Sequence, residues 1–143
     1  DAAMSVYLDR FLNIPAARIP HPNGVAKEPT ALLNELATLL NQQQQVNEAG
    51  QLVAQYLHNG GDPNRLLAAL GSALLREDRD FHTIQSVEAA FRQYDLLHGT
   101  EAGIHALIGA ARYLAAHSPT VRAQGQTYQI ARRLHRGELL FEE

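Results

Sequence analysis

Residues 101–117 read EAGIHALIGAARYLAAH, and this stretch decides the fold class of the chain. Its apolar residues recur at spacings of three and four, which is the period of one face of an α-helix. The predicted inward face consists of Ile104, Leu107, Ile108, Ala111 and Leu114. Alanine occupies much of the remaining surface, so we expect a slim helix that packs closely against its neighbours.

Further helices are predicted on both sides of this one. Residues 81–97 are joined to it by His98-Gly99-Thr100, and so short a link favours antiparallel neighbours. Asp62-Pro63 is a strong helix start, because Asp accepts hydrogen bonds from free amides and Pro sits where no donor is needed. The predicted helices cover residues 3–13, 29–44, 47–58, 63–75, 81–97, 101–117 and 119–136.

Three stretches bear on how these helices pack. Gly71 lies in the middle of a helix, where glycine costs about 1 kcal/mol, and we expect it to permit close helix packing. The charged run 76–80 is expected to be an exposed helix end. Residues 119–136 contain few apolar side chains and several glutamines. That helix therefore lies at the edge of the bundle, or its glutamines meet a polar surface.

The sequence contains no convincing strand, and this predicts an all-α fold. We expect an irregular antiparallel bundle of about six to seven helices that is part of a larger helical domain. Residues 1–143 would form a single helical domain, or a fragment of one. A proline-rich connection is expected at about residues 14–29, after the first helix.

Composition excludes several classes of function. The 143 residues include no cysteine, which removes disulfides, thiolate metal ligands and cysteine nucleophiles. The net charge of -3 and the lack of an aromatic stacking platform argue against a nucleic-acid partner. No apolar run is long enough to span a membrane, and the first residues do not resemble a secretory signal. We therefore expect a cytoplasmic protein.

Seven histidines are the natural candidates for metal ligands in a chain without cysteine. No two of them are spaced by three or four residues, so any metal site must be assembled across helices. In an antiparallel pair formed by 81–97 and 101–117, residues whose numbers sum to about 199 lie level. This register places His82 opposite His117.

His82 is the candidate of most interest because Gln85 and Glu88 follow it on successive helical turns. An imidazole and a carboxylate could bind iron, manganese or zinc, or act as a base and its orienting group. His82 and Glu88 lie about 120° apart around the helix, so a single ion would need a bend or another helix. The alternatives are that His82 caps the helix or bonds a backbone carbonyl, and that Glu88 pairs with Arg92.

Four stretches resemble the carboxyl-terminal helical region of bacterial Rieske-type [2Fe–2S] iron–sulfur proteins. They are residues 5–15, 66–82, 113–119 and 134–139, so the resemblance runs over most of this chain. In such proteins a C-x-H and C-x-x-H pair elsewhere in the chain holds the cluster. This chain has neither motif, so no iron–sulfur cluster is expected within it.

The resemblance implies roles for four residues. His82, Gln85 and Glu88 fit the family's phrase, and His117 fits it more weakly. On this basis His82 and Glu88 are candidate metal ligands, and Gln85 and His117 are candidate cofactor-binding residues. The implied partner is a missing amino-terminal portion of the same protein or another protein subunit.

Two hypotheses for the function stay open at this point. The first is a helical portion of a Rieske-associated redox protein, with histidines contributed to a metal-dependent oxidoreductase or electron-transfer site. The second is a non-catalytic helical interaction or structural module that docks a partner chain, a homo-oligomer included. The sequence does not decide whether the protein is an enzyme.

Overall fold

A computed structural model describes Met4, Tyr7, residues 18–21 and residues 27–139. Within this part of the chain the helices are α1 (Pro29–Leu39), α2 (Val46–His58), α3 (Pro63–Leu75), α4 (Phe81–Leu96), α5 (Glu101–Ala116) and α6 (Ala123–His135). No strand occurs among the described residues, and the prediction of an all-α fold is confirmed. The helix predicted over 3–13 lies outside the described residues except for Met4 and Tyr7, which are helical. Most of the predicted connection at 14–29 also lies outside the described residues.

Side-chain caps begin three of the helices where the sequence indicates a start. Asp62 accepts a hydrogen bond from the backbone N–H of Asn64 at the start of α3, which confirms the Asp-Pro signal. Thr100 caps α5 in the same way. Asp80 caps α4 by accepting from the N–H of Thr83 at 2.7 Å. The cap of α4 is therefore Asp80, and the alternative that His82 caps this helix is wrong.

α5 is the central helix of the bundle. It packs against α2 on one side and α4 on the other, while α1 packs on α2 and α3 contacts α1, α4 and α5. Leu107, Ala111 and Leu114 are fully buried, so the predicted inward face of this helix is confirmed. The largest completely buried side chains are Leu32, Leu40, Val53, Tyr56, Leu66, Leu70, Val87, Leu107 and Leu114.

Both close partners of α5 run antiparallel to it. A Cβ at Gly103, near the start of α5, would lie 3.4 Å from the ring of Tyr94 of α4, and Thr83 and Ala116 line the same cleft at the other end of the pair. This register is the one predicted for the hairpin. On the other side, the Arg112 side chain crosses α2 at Gly50 and donates to the carbonyl of Arg18.

Glycine permits close packing at Gly103 and not at Gly71. A Cβ at Gly103 would lie 2.8 Å from the backbone oxygen of Leu97, so only glycine fits there. A Cβ at Gly71 would meet no atom within 4 Å. The expectation that Gly71 mediates helix packing is therefore wrong, because its Cα faces open space.

Two helix ends differ from the prediction. α1 ends at Leu39, five residues before the predicted end, and Gln44 has a left-handed backbone with a φ of 63°. α6 begins at Ala123, four residues after Pro119, because residues 118–122 bond to other parts of the bundle. In the described part of the chain, no helix has the length and apolar character that crossing a bilayer requires.

Candidate functional site

A cleft of about 420 Å³ lies where α4 begins and α5 ends. Its walls include Arg79, Asp80, Thr83, His117 and Ser118. The antiparallel register of α4 and α5 brings these residues together although they come from two separate segments. One candidate residue from the sequence, His117, therefore lies on the wall of a polar cavity.

Beside this cleft, the carboxylate of Glu77 is fully buried, with a side-chain exposure of 0%. Oε2 accepts hydrogen bonds from the backbone N–H and the hydroxyl of Thr120, at 2.8 and 2.9 Å. Oε1 accepts from Nε and Nη2 of Arg122, at 3.0 and 2.7 Å. Burial alone would raise the pKa of Glu77, but the bonds from Arg122 and Thr120 prevail and hold the pKa at about 2.

Asp78 completes this connection by capping α6. Its carboxylate accepts from the backbone N–H groups of Ala123 and Gln124, at 2.6 and 3.0 Å. Glu77 and Asp78 together bond the residues at the start of α6 to the segment that follows α3. The expectation that the charged run 76–80 is simply an exposed end is wrong for Glu77, because Thr120 and Arg122, more than forty residues later in the chain, cover it.

The other charged groups of the cleft also form hydrogen bonds within the protein. Arg79 donates to the carbonyl of His117 and to the hydroxyl of Ser118, both at 2.6 Å. The hydrogen bonds from Thr83 lower the pKa of Asp80, and His82 and His117 add smaller effects in the same direction. His117 lines this cleft together with Asp80, and His82 comes two residues after Asp80, so both histidines lie at this end of the hairpin.

The candidate residues from the sequence are all exposed. The His82 ring meets the Phe81 ring edge-on, with ring centroids 5.7 Å apart, and Gln85 faces solvent. His117 bonds through Nδ1 to the carbonyl of Tyr113 at 2.9 Å. Their roles in binding a metal or cofactor stay predictions.

Glu88 pairs with Arg92 one turn later on α4. This is the contact that the sequence offered as the alternative to a metal-ligand role. Across the described residues, no three His, Asp or Glu side chains are already arranged as a metal-binding set.

A second group of ionisable side chains was missed by the sequence reasoning. Glu101 on α5 lies between His58 at the end of α2 and His105 one turn later on α5. The spacing of Glu101 and His105, at i and i+4, was a readable signal for half of this cluster. The other half comes from the packing of α2 on α5.

α6 differs from every other helix described. It has no buried residue, and it packs closely on none of the other five helices. Ile130 and Leu134 lie on one face and are 41% and 56% exposed. Gln129 and Arg132 point away from that face.

Comparisons of the chain with family models, with curated proteins and with solved structures found no match. The resemblance to Rieske-type proteins therefore stays a prediction based on the quoted sequence phrases.

Proposed function

We propose that this chain is a non-catalytic helical interaction module that binds a second copy of itself through α6. The observation that carries the proposal is that α6 is amphipathic and yet has no buried residue. A helix of this kind normally buries its apolar face, because the exposed hydrocarbon is unfavourable in water. Ile130 and Leu134 are the side chains of this face that are left exposed.

The second copy offers a matching surface, which we call the α1–α2 groove. It is an open groove of about 420 Å³ that includes Leu39 and Leu52, with Glu35 and Glu48 on its rim. Leu52 is buried on its floor. Apolar side chains in the groove would contact Ile130 and Leu134 of the partner helix.

Charge complementarity supports this pairing. Arg133 in the last turn of α6 borders the apolar face, whereas the residues that line the groove include two glutamates and no cation. Glu35 already pairs with Lys27 and Arg133 with Glu138, but these are exposed pairs of small energetic value. Because each chain has both the helix and the groove, reciprocal exchange about a two-fold axis gives a closed dimer.

Sedimentation velocity over a range of protein concentrations tests the proposal. We expect the unaltered chain to be dimeric, and Ile130→Asp to be monomeric because a charge would enter the apolar contact. Gln129→Asp is the matched control, since it adds the same charge to the neighbouring residue outside the apolar stripe. Equal effects of the two substitutions, or a monomer at every concentration, would contradict the proposal.

A charge exchange tests the occupant of the groove. Glu48→Arg and Arg133→Glu should each weaken the dimer by juxtaposing like charges. The double variant that carries both changes in one chain should recover the dimer, because the two charges again have opposite sign. Failure of the double variant to recover would exclude the α1–α2 groove as the binding site.

A further inference from the structure

The cluster formed by His58, Glu101 and His105 joins two helices at the end of the bundle opposite the 420 Å³ cleft. α2 ends at His58 where the antiparallel α5 begins at Glu101. Nε2 of His58 lies 3.7 Å from Oε1 of Glu101, and Nε2 of His105 lies 3.7 Å from Oε2 of the same carboxylate. One carboxylate therefore faces two imidazoles through its two oxygens.

The hydrogen bond of His58 Nδ1 determines whether Nε2, which faces Glu101, carries a proton in the neutral ring. Nδ1 of His58 lies 2.8 Å from the carbonyl oxygen of Ala54. A carbonyl oxygen only accepts, so Nδ1 carries the proton. In the neutral ring Nε2 then presents a lone pair towards the carboxylate, and these two acceptors are held together either by a metal ion between them or by a proton on Nε2. A backbone carbonyl on Nδ1 is also the usual orienting partner of a metal-ligating histidine.

We propose that His58, Glu101 and His105 bind a divalent transition-metal ion of the zinc type. Zinc holds nitrogen and carboxylate oxygen ligands at about 2.0–2.2 Å, so two ligands at a tetrahedral angle lie about 3.3–3.5 Å apart. Both nitrogen–oxygen distances in the cluster exceed this separation by only a few tenths of an ångström. The side chains of Glu101 and His105 are 71% and 38% exposed, so both have room to rotate towards His58. Binding requires that rotation, because the two imidazoles approach different oxygens of the carboxylate.

The ligand chemistry selects the class of metal. Two imidazoles and one carboxylate suit zinc, nickel or cobalt, whereas magnesium and calcium prefer oxygen ligands alone. The cluster lines a cavity of about 760 Å³ that also includes His21. Three protein ligands leave a fourth position that water or a small ligand can fill from this cavity.

Calorimetric titration of the full, tag-free and chelator-treated chain with zinc chloride tests the site. We expect saturable binding of one zinc ion per chain, and a loss of affinity of about ten-fold or more in His58→Ala, His105→Ala and Glu101→Gln. His98→Ala is the matched control, because His98 is an exposed histidine that contacts Tyr94 outside the cluster, and its removal should leave zinc affinity unchanged.

The same titration of His82→Ala distinguishes this site from the one implied by the sequence resemblance. Unchanged affinity in His82→Ala supports the proposed cluster, whereas loss of binding there with retention in His58→Ala overturns it. No saturable binding up to about 100 µM zinc also overturns it, since a site that weak falls short of micromolar affinity. Circular dichroism of each variant, with Glu101→Gln as the mildest change, separates loss of a ligand from loss of the fold.

Discussion

Glu77 is the residue on which the connection between the bundle and α6 depends. It is a fully buried anion whose charge is satisfied by Arg122 and Thr120. Removing one partner from such a buried, hydrogen-bonded pair is costly because the other charge loses its compensation. The residue has an ordinary appearance in the sequence, since it lies in a charged run of the kind that is commonly solvated.

Glu77→Gln should lower the free energy of unfolding by about 3 kcal/mol at neutral pH, as measured by urea denaturation. The carboxyl has a pKa of about 2 in the folded chain against an ordinary value of 4.5. Its stabilising contribution is therefore complete above about pH 4.5 and disappears as the pH falls towards 2. The difference between the two proteins should shrink to about half by pH 3.

Glu88→Gln is the control for this experiment, because Glu88 forms only an exposed pair with Arg92 on α4. We expect it to change stability by a few tenths of a kcal/mol at most. A difference between wild type and Glu77→Gln that does not depend on pH would contradict the role assigned to the Glu77 charge.

At the scale of the elements, the turn between α4 and α5 requires a residue without a side chain. Gly103 faces the backbone oxygen of Leu97, which cannot move away without disturbing the end of α4. Gly71 lies in the interior of α3 with open space beside it. The two glycines are alike in the sequence, because each lies within a predicted helix, and only their neighbours differ.

Gly71→Ala should raise the free energy of unfolding by about 0.5–1 kcal/mol, because alanine favours the helix and meets no neighbouring atom. Gly103→Ala should lower it, because the added Cβ would lie 2.8 Å from the Leu97 oxygen. Thermal and urea unfolding of the two variants measure both changes in the free energy of unfolding. A stabilising Gly103→Ala would show that the close contact does not constrain the turn.

At the scale of the whole molecule, α6 projects from a bundle that does not need it for its core. None of the residues 123–139 is buried, and Glu77 is covered by Thr120 and Arg122, which precede α6. The stability of α6 itself rests on its cap from Asp78 and, under the proposed function, on a partner chain.

A chain that ends at Arg122 should keep the unfolding free energy of the bundle within about 1 kcal/mol, because little apolar surface is lost from its core. It should also be monomeric when the full chain is dimeric. Unfolding followed by circular dichroism, together with sedimentation velocity, measures both outcomes. Collapse of the truncated chain would mean that α6 packs on the bundle in solution.

The sequence by itself determined the all-α class, the Asp62 start and the antiparallel hairpin that places His82 and His117 at one end. Helical periodicity, caps and short links act between residues close in the chain, so a linear pattern records them. Only the tertiary structure decided that Glu77 is buried, that His58 meets Glu101 and that α6 is left uncovered. Those outcomes depend on which helix faces join, and residues more than forty positions apart are brought into contact only by packing.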